Sequence, residues 1–368
     1  LKISYIISDI DKAIYFEKTA LKLRENNLEV SYILINCKSG YLAQFLLEQN
    51  FEVDFIDCQK LAKSRRAIFR CKKILKKQKT DLVHCHLADA NWVGLWAAYL
   101  ARVPNRVYTR HSGKPLKLNW KEKIIDKIQN KLSNKIIAIT EIIRAYLIAQ
   151  GVEPNKIWLI HHGFDLNEFN SIPSTELQRI QENYNSENAH PVIGVIARRM
   201  EWKGIQYTIK AFTQLLTSYP DAKLCLFGGG KNADYDLHIE HLLKEIPSAN
   251  KLIVPFEKNV FALYSVFDVY VHVPINNDCE AFGQTYVEAL AAGVPSIFTL
   301  SGIAHEFIAD GENALVVPYQ DENAIFVAMK TILEDPEVAQ RLVANGKTSV
   351  LQFSFHGYIE RLKKIYHA

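Results

Sequence analysis

Two carboxylates eight residues apart, Glu280 and Glu288, frame the stretch of this sequence with the most chemical content. Glu280 lies in the loop Pro274–Phe282, just past the apolar run Val269–Val273. Glu288 falls two turns into a helical pattern that opens near Gly283, with Gly293 and Pro295 as its stop signals. Between the two acids, Phe282 and Gly283 stand where the free N–H groups of a helix start make an anion site. A carboxylate, a helix start and a second carboxylate suit a sugar, a phosphate and a ribose in turn. Taken alone, a surface loop acid and a solvent-facing helix acid describe the same residues more simply.

Basic groups follow another strand-like run. After Val192–Ala197 come Arg198 and Arg199, and Lys203–Gly204 opens the next helix. A guanidinium and an ammonium placed there could clamp a diphosphate, the first through two parallel bonds and the second as a point charge. Basic residues after a strand are also commonplace. Gly228-Gly229-Gly230 follows Lys223–Phe227 and permits close backbone approach by a ligand, a weak signal by itself. In the first half His84 and His86 close the run Leu82–Cys85, on one side if the strand persists, and His111 follows Arg106–Thr109. A metal site built on that pair has no third ligand in view, and His111 fits a core, supporting or catalytic role. Asp9-Ile10-Asp11 has the form of a metal-binding acid pair, yet it precedes a helical stretch where Asp caps well, and capping is the better reading.

The elements that must position these groups alternate. Strand-like runs at Lys2–Ser8, Val30–Ile35, Val53–Ile56, Leu82–Cys85, Arg106–Thr109, Ile136–Ile139 and Ile157–Ile160 form one series. A second runs Val192–Ala197, Lys223–Phe227, Leu252–Val254, Val269–Val273, Ser296–Thr299 and Leu315–Val317. Helical patterns such as Tyr15–Glu25, Tyr41–Gln49, Trp120–Leu132, Ile205–Thr217 and Gln284–Ala292 lie between them. Strands apolar on both faces and separated by helices predict parallel sheets covered on both sides. Two such series predict two doubly wound α/β domains, separated by the polar stretch Asn167–His190, with ligands beyond the carboxyl ends of the strands.

The 368 residues, 48% hydrophobic and 23% charged, are those of an ordinary globular protein, which excludes disorder and collagen. The longest nearly uncharged stretch, Asn91–Ala101, is too short to span a membrane. Six cysteines without a CxxC pair, in a chain whose start lacks a signal-peptide pattern, predict reduced thiols, and no zinc ligand set is evident. The net charge of +4 hides an asymmetry: residues 1–165 carry 28 Lys+Arg against 16 Asp+Glu, and the remainder 16 against 24. Ten basic residues and no acid fall between Lys60 and Lys79, with Ala67, Ile68, Cys71, Ile74 and Leu75 at helical spacing. That basic amphipathic helix fits a solvated outer face and an anionic membrane surface equally well. Nucleic acid fits less, because no aromatic interleaving or helix-turn-helix pattern accompanies the charge. Trp120, Ile124, Ile128 and Leu132 form an apolar stripe flanked by lysines, which more commonly packs on its own sheet.

Taken together, these stretches resemble the retaining glycosyltransferases of family 4, which have the GT-B fold. The resemblance is carried by Ile196-Ala-Arg198-Arg-Met-Glu-Trp-Lys203-Gly204, by Leu226-Phe-Gly-Gly-Gly230 and by Glu280-Ala-Phe-Gly-Gln-Thr-Tyr-Val-Glu288, which looks like the family's E-x7-E motif. Asp310-Gly-Glu-Asn-Ala-Leu-Val-Val and Ile160-His-His-Gly-Phe-Asp-Leu-Asn-Glu-Phe169 are similar to further family segments; Asp81–His86 and Tyr108–His111 match more loosely. The resemblance implies two Rossmann-like domains facing each other across a cleft. Residues 1–165 would bind the acceptor, residues 166–350 the nucleotide-sugar, and residues 351–368 would pack back on the first domain as a helix. Arg198 and Lys203 would hold the donor diphosphate, with Gly229 and Gly230 beside the donor. Glu288 would bind the ribose, Glu280 the donor sugar, and Phe282 and Gly283 would offer backbone N–H groups to it. Glu280 and His111 would be the catalytic residues. No metal and no cofactor is implied; the donor, a UDP-sugar foremost, is a substrate.

Two departures stand out: Ser8-Asp-Ile-Asp-Lys-Ala-Ile-Tyr-Phe-Glu17 replaces the family's usual glycine-rich loop, and His162 replaces an asparagine. The expected activity is sugar transfer to a lipid-linked or saccharide acceptor in surface-polysaccharide assembly, in the cytoplasm and at the membrane's cytoplasmic face. The competing classes are a sugar-nucleotide epimerase or hydrolase, which would turn over donor without acceptor, and a silent sugar-nucleotide binding protein. A nicotinamide enzyme is disfavoured, since no G-x-G-x-x-G follows either first strand.

Overall fold

The structure, a computed structural model, describes residues 1–11, 14–38, 40–58, 64–113, 120–169, 171–185, 189–230 and 232–368. It divides into two compact units, residues 1–163 with 355–368, and residues 164–354.

Unit 1 runs β1 (Lys2–Ser8), α1 (Ile14–Glu25), β2 (Glu29–Ile35), α2 (Tyr41–Glu48), β3 (Val53–Ile56), α3 (Ser64–Gln78), β4 (Leu82–His86) and α4 (Ala88–Ala101). It continues through β5 (Asn105–Arg110), α5 (Trp120–Leu132), β6 (Lys135–Ala138), α6 (Glu141–Ala149) and β7 (Ile157–Leu159). These strands form one parallel sheet in the order β3-β2-β1-β4-β5-β6-β7. Beyond Lys2, the side chains of β1 and β4 are buried on both faces, so Ser4, Ser8, His84 and His86 lie in the interior with the apolar residues.

Unit 2 begins with α7 (Ser174–Asn185), then β8 (Val192–Ile196), α8 (Ile205–Leu215), β9 (Lys223–Phe227), α9 (Ala233–Leu243), β10 (Lys251–Val254), α10 (Val260–Leu263) and β11 (Val269–His272). It proceeds through α11 (Gln284–Ala292), β12 (Ser296–Phe298), α12 (Ala304–Phe307), β13 (Leu315–Val316), α13 (Glu322–Glu334) and α14 (Pro336–Ser349). Its parallel sheet has the order β10-β9-β8-β11-β12-β13. Winding reverses between β8 and β11, which makes their carboxyl ends the switch point where open α/β sheets bind ligands. The last helix, α15 (Phe355–His367), belongs to unit 1: Ile359, Leu362, Ile365 and Tyr366 are buried in one cluster with Ile3, Tyr5 and Val107.

Three local readings change. The polar stretch 167–190 is not a plain spacer, because Ser174–Asn185 forms α7 and buries Ile180. Asp11 acts on a different helix from the one that follows it: its Oδ1 accepts the N–H of Tyr41, at the start of α2, at 3.2 Å. Trp120 and Ile124 are 68% and 49% exposed, so the stripe of α5 packs only towards its C-terminal end, through Leu132. The basic run forms α3 as its periodicity required, with Ala67, Cys71 and Leu75 buried; Lys60 and Lys63 lie outside the described residues. All six cysteines are free thiols.

Candidate functional site

The switch point of unit 2 gathers the groups that the sequence places on three separate segments. Lys203 sits on a single turn after β8, and Gly204 then starts α8 at φ +72°. A Cβ at Gly204 would stand 1.8 Å from the Val273 carbonyl oxygen, so this turn can lie against the end of β11 only as glycine. That contact brings Lys203 to the loop after β11, where its Nζ forms an ion pair with Glu280. The two side chains are 12% and 9% exposed, and the Lys203 ammonium also lies 4.5 Å from the Trp202 ring centroid.

Glu280 is fixed from three sides. Ser301 Oγ accepts its backbone N–H at 2.9 Å. His272, the last residue of β11, lies with Nε2 3.0 Å from Glu280 Oε1. An ionised carboxylate only accepts, so Nε2–H of a neutral imidazole is the donor. Burial holds the His272 pKa below its ordinary value against the pull of Glu280. Burial pushes the Glu280 carboxyl up, but the His272 hydrogen bond and the Lys203 charge outweigh it and hold the pKa at about 2. The result is a buried, permanently ionised carboxylate beside a cation, which is fixed charge rather than a proton donor.

Beyond Glu280, Phe282 is buried and stacks at 6.0 Å on Phe164, while its carbonyl accepts Ile303 N–H at 2.9 Å. Gly283 caps α11 at φ +88° with no side-chain hydrogen bond, leaving the helix start lined by backbone. Glu288 is half-buried and accepts from Tyr264 Oη at 3.1 Å, so it is neither a free surface acid nor solvent-facing. Arg198 is exposed, whereas its neighbour Arg199 is taken up by Asp236 at 2.8 Å. That pairing gives the glycine run a structural part: a Cβ at Gly230 would lie 2.0 Å from the Asp236 carboxylate. At Gly229, by contrast, the nearest atom to a Cβ is Pro255 O at 3.6 Å.

His111 lies in unit 1, at the end of β5. Its Nε2 is 2.9 Å from His86 Nδ1, and Tyr15, Phe16 and His162 surround the ring. His84 is engaged on both nitrogens, by Tyr366 Oη and Thr109 Oγ1 at 2.8 Å each, which ties α15 to the sheet. Burial pushes His84 down to about 3, His111 to about 4 and His86 well below its usual value, so the cluster is neutral. His162, which stands where the family has asparagine, stacks on Tyr15 at 4.6 Å.

Of the sequence-derived candidates, Arg198, Lys203, Gly229, Gly230, Glu280, Phe282, Gly283 and Glu288 thus share unit 2, and His111 stands in unit 1. Sequence reasoning missed His272, Ser301, Tyr264 and Asp236, and read His86 with His84 rather than as the partner of His111. The polar residue closing the apolar strand Val269-Tyr-Val-His272 was the one available signal.

With this arrangement in view, the family assignment follows. Residues 177–349 match the family described as glycosyl transferases group 1, and residues 19–168 match glycosyltransferase family 4. The chain belongs to this family of glycosyltransferases, and its two doubly wound units are those of the GT-B fold. Alpha-monoglucosyldiacylglycerol synthase of Acholeplasma laidlawii is 26% identical over 314 residues, covering 79% of this chain and 76% of that protein. The capsular polysaccharide biosynthesis glycosyltransferase CapM of Staphylococcus aureus is 25% identical over 309 residues, covering 80% and 78%. Among solved structures, Anabaena Alr3699/HepE in complex with UDP and glucose has a TM-score of 0.85 at 18% identity, covering 100% of this chain and 98% of that one.

Proposed function

We propose that this glycosyltransferase transfers a sugar, with retention of configuration and without a metal, from a UDP-sugar to a lipid-linked or saccharide acceptor in surface polysaccharide or glycolipid assembly. The observation that carries this reading is the buried Lys203–Glu280–His272 cluster at the β8/β11 switch point, flanked by exposed Arg198 and by Glu288. Arg198 and Lys203 hold the diphosphate, Gly229 and Gly230 border the donor, and Glu288 takes the ribose hydroxyls. Glu280, Phe282 and Gly283 position the sugar, and His111 acts near the reacting carbon.

Retention requires the acceptor hydroxyl to attack from the face that the diphosphate leaves. Its oxygen bonds to the anomeric carbon as the carbon–diphosphate bond breaks, and its proton passes to the departing diphosphate on the same face. Positive charge fixed on the phosphates stabilises this leaving group, and the Glu280 carboxylate stabilises the cationic sugar carbon. A UDP-binding structural neighbour and relatives named for glycolipid and capsule synthesis support this donor and acceptor class.

The basic face of α3 fits docking at the anionic cytoplasmic surface of a membrane, where a lipid-linked acceptor resides. No helix among the described residues is long and apolar enough to cross one. Thermal shift and turnover with a panel of nucleotide sugars, in EDTA, test the proposal. UDP-sugars should protect and be consumed with acceptor, giving an α-product from an α-donor. Donor consumption without acceptor, or activity that returns only with Mg²⁺ or Mn²⁺, would contradict it.

A further inference from the structure

At the carboxyl ends of β4 and β5, unit 1 holds a pocket of about 490 Å³ whose described lining includes Leu87, Asp89, Trp92, Arg110, His111 and Asp126. Its volume lies within the ~300–1,000 Å³ of small-molecule sites. The backbone there is under tension: Leu87 has φ +76° and ψ 168°, a region almost confined to glycine that costs about 1–3 kcal/mol and marks functional sites. Trp92 offers a large apolar surface, and its indole Nε1 is a buried donor with no partner among the described residues.

The charges in the lining are uneven. Arg110 is consumed by Asp126 at 2.9 Å, with the two side chains 8% and 13% exposed. Asp89 has no cationic partner among the described residues; Asn36 Nδ2 lies 3.5 Å from its Oδ2. Burial, and then the charge of Asp9, push the Asp89 carboxyl above its ordinary value. An aromatic wall with carboxylate acceptors beside it matches the two-faced surface of a sugar ring, apolar on its C–H face and rich in hydroxyl donors at its edge. A phosphate or uronate would meet the charge of Asp89, while the Arg110 guanidinium is already paired with Asp126.

We propose that this pocket binds the neutral, hydroxyl-rich end of the acceptor, a sugar or similar polyol without phosphate or carboxylate, and so selects against anionic acceptor ends. This rests on the glycosyltransferase reading above and assigns to unit 1 a specificity which that reading leaves open.

The test uses the full chain saturated with UDP and saturation-transfer NMR. The probes are the methyl glycosides of glucose, galactose and N-acetylglucosamine, set against glucose 6-phosphate and glucuronate. At least one neutral glycoside should bind, at least tenfold more tightly than either anion. Trp92→Ala should weaken it tenfold or more and Trp92→Phe less. Asp89→Asn, at a half-exposed position, should narrow the discrimination against anions severalfold. Protection by UDP, retained in each variant, shows that the variants fold and that the donor site is intact; its absence from the wild type would strike the donor reading instead. Binding of no neutral glycoside, binding of the anions as tight as theirs, or neutral binding undiminished in Trp92→Ala would overturn the pocket assignment.

Discussion

Replacing Lys203 by methionine removes the cation from a carboxylate that is 9% exposed, and the structure sets the cost. Glu280 is held at about 2 rather than near 4.5, a depression equivalent to about 3 kcal/mol of stability. The sign follows from linkage. A depressed carboxyl contributes in full above its unfolded value and loses that contribution as the pH falls through the folded one. Without Lys203, burial persists while one of the two compensating partners is gone. Breaking a buried pair of this kind costs roughly 3–5 kcal/mol. For a unit of this size, 3 kcal/mol lowers the melting temperature by roughly 6–12 °C.

Glu280→Gln keeps the shape and the His272 contact without the charge, so Lys203→Met/Glu280→Gln should recover most of the loss at pH 7 and still be inactive. Scanning calorimetry of the wild type, both single variants and the double variant measures this cycle. The penalty of Lys203→Met should also shrink as the pH falls below the raised pKa of its Glu280, because a protonated carboxyl no longer needs the lysine. A single variant as stable as the wild type, or strictly additive losses in the double variant, would refute the buried pair as a coupled unit.

Arg198→Ala should lower kcat/KM about a hundredfold, or ~3 kcal/mol in the transition state, while the exposed position keeps stability within ~0.5 kcal/mol; steady-state kinetics beside a melting curve would show it. His84 and His111, held at about 3 and about 4, stay neutral in the native chain while the unfolded chain takes up protons below ~6.5. Stability should therefore fall between about pH 6.5 and 4, by roughly 1.4 kcal/mol per pH unit for each, and His84→Gln should flatten the curve of melting temperature against pH. Reversing the charge of Lys73, Lys76 and Lys77, exposed on α3, should abolish flotation with anionic vesicles, which wild-type binding should show at low salt and lose at high salt. Equal flotation with neutral vesicles would remove the membrane role.

Lys2–Ser8, Val53–Ile56 and Lys223–Phe227 form over the residues their apolar runs span; the first and last were readable because, beyond their first residue, they are buried on both faces. The acids and bases of the site were readable as strand-end residues. Their pairing was not, since Lys203 and Glu280 lie 77 residues apart and meet only because β8 adjoins β11. Of the partners that tune them, His272 shows only as a polar residue closing an apolar strand, and Ser301 and Tyr264 have no signature beyond ordinary core residues. Asp11 illustrates the same limit: a cap is legible locally, but its Oδ1 serves a helix start 30 residues further on.

The most direct test of the donor-site assignment is the crystal structure of this chain with UDP bound. The account predicts the diphosphate within hydrogen-bond reach of Arg198 and Lys203, and the ribose hydroxyls on Glu288. UDP lying away from all three side chains, or failing to bind at saturating concentration, would contradict it.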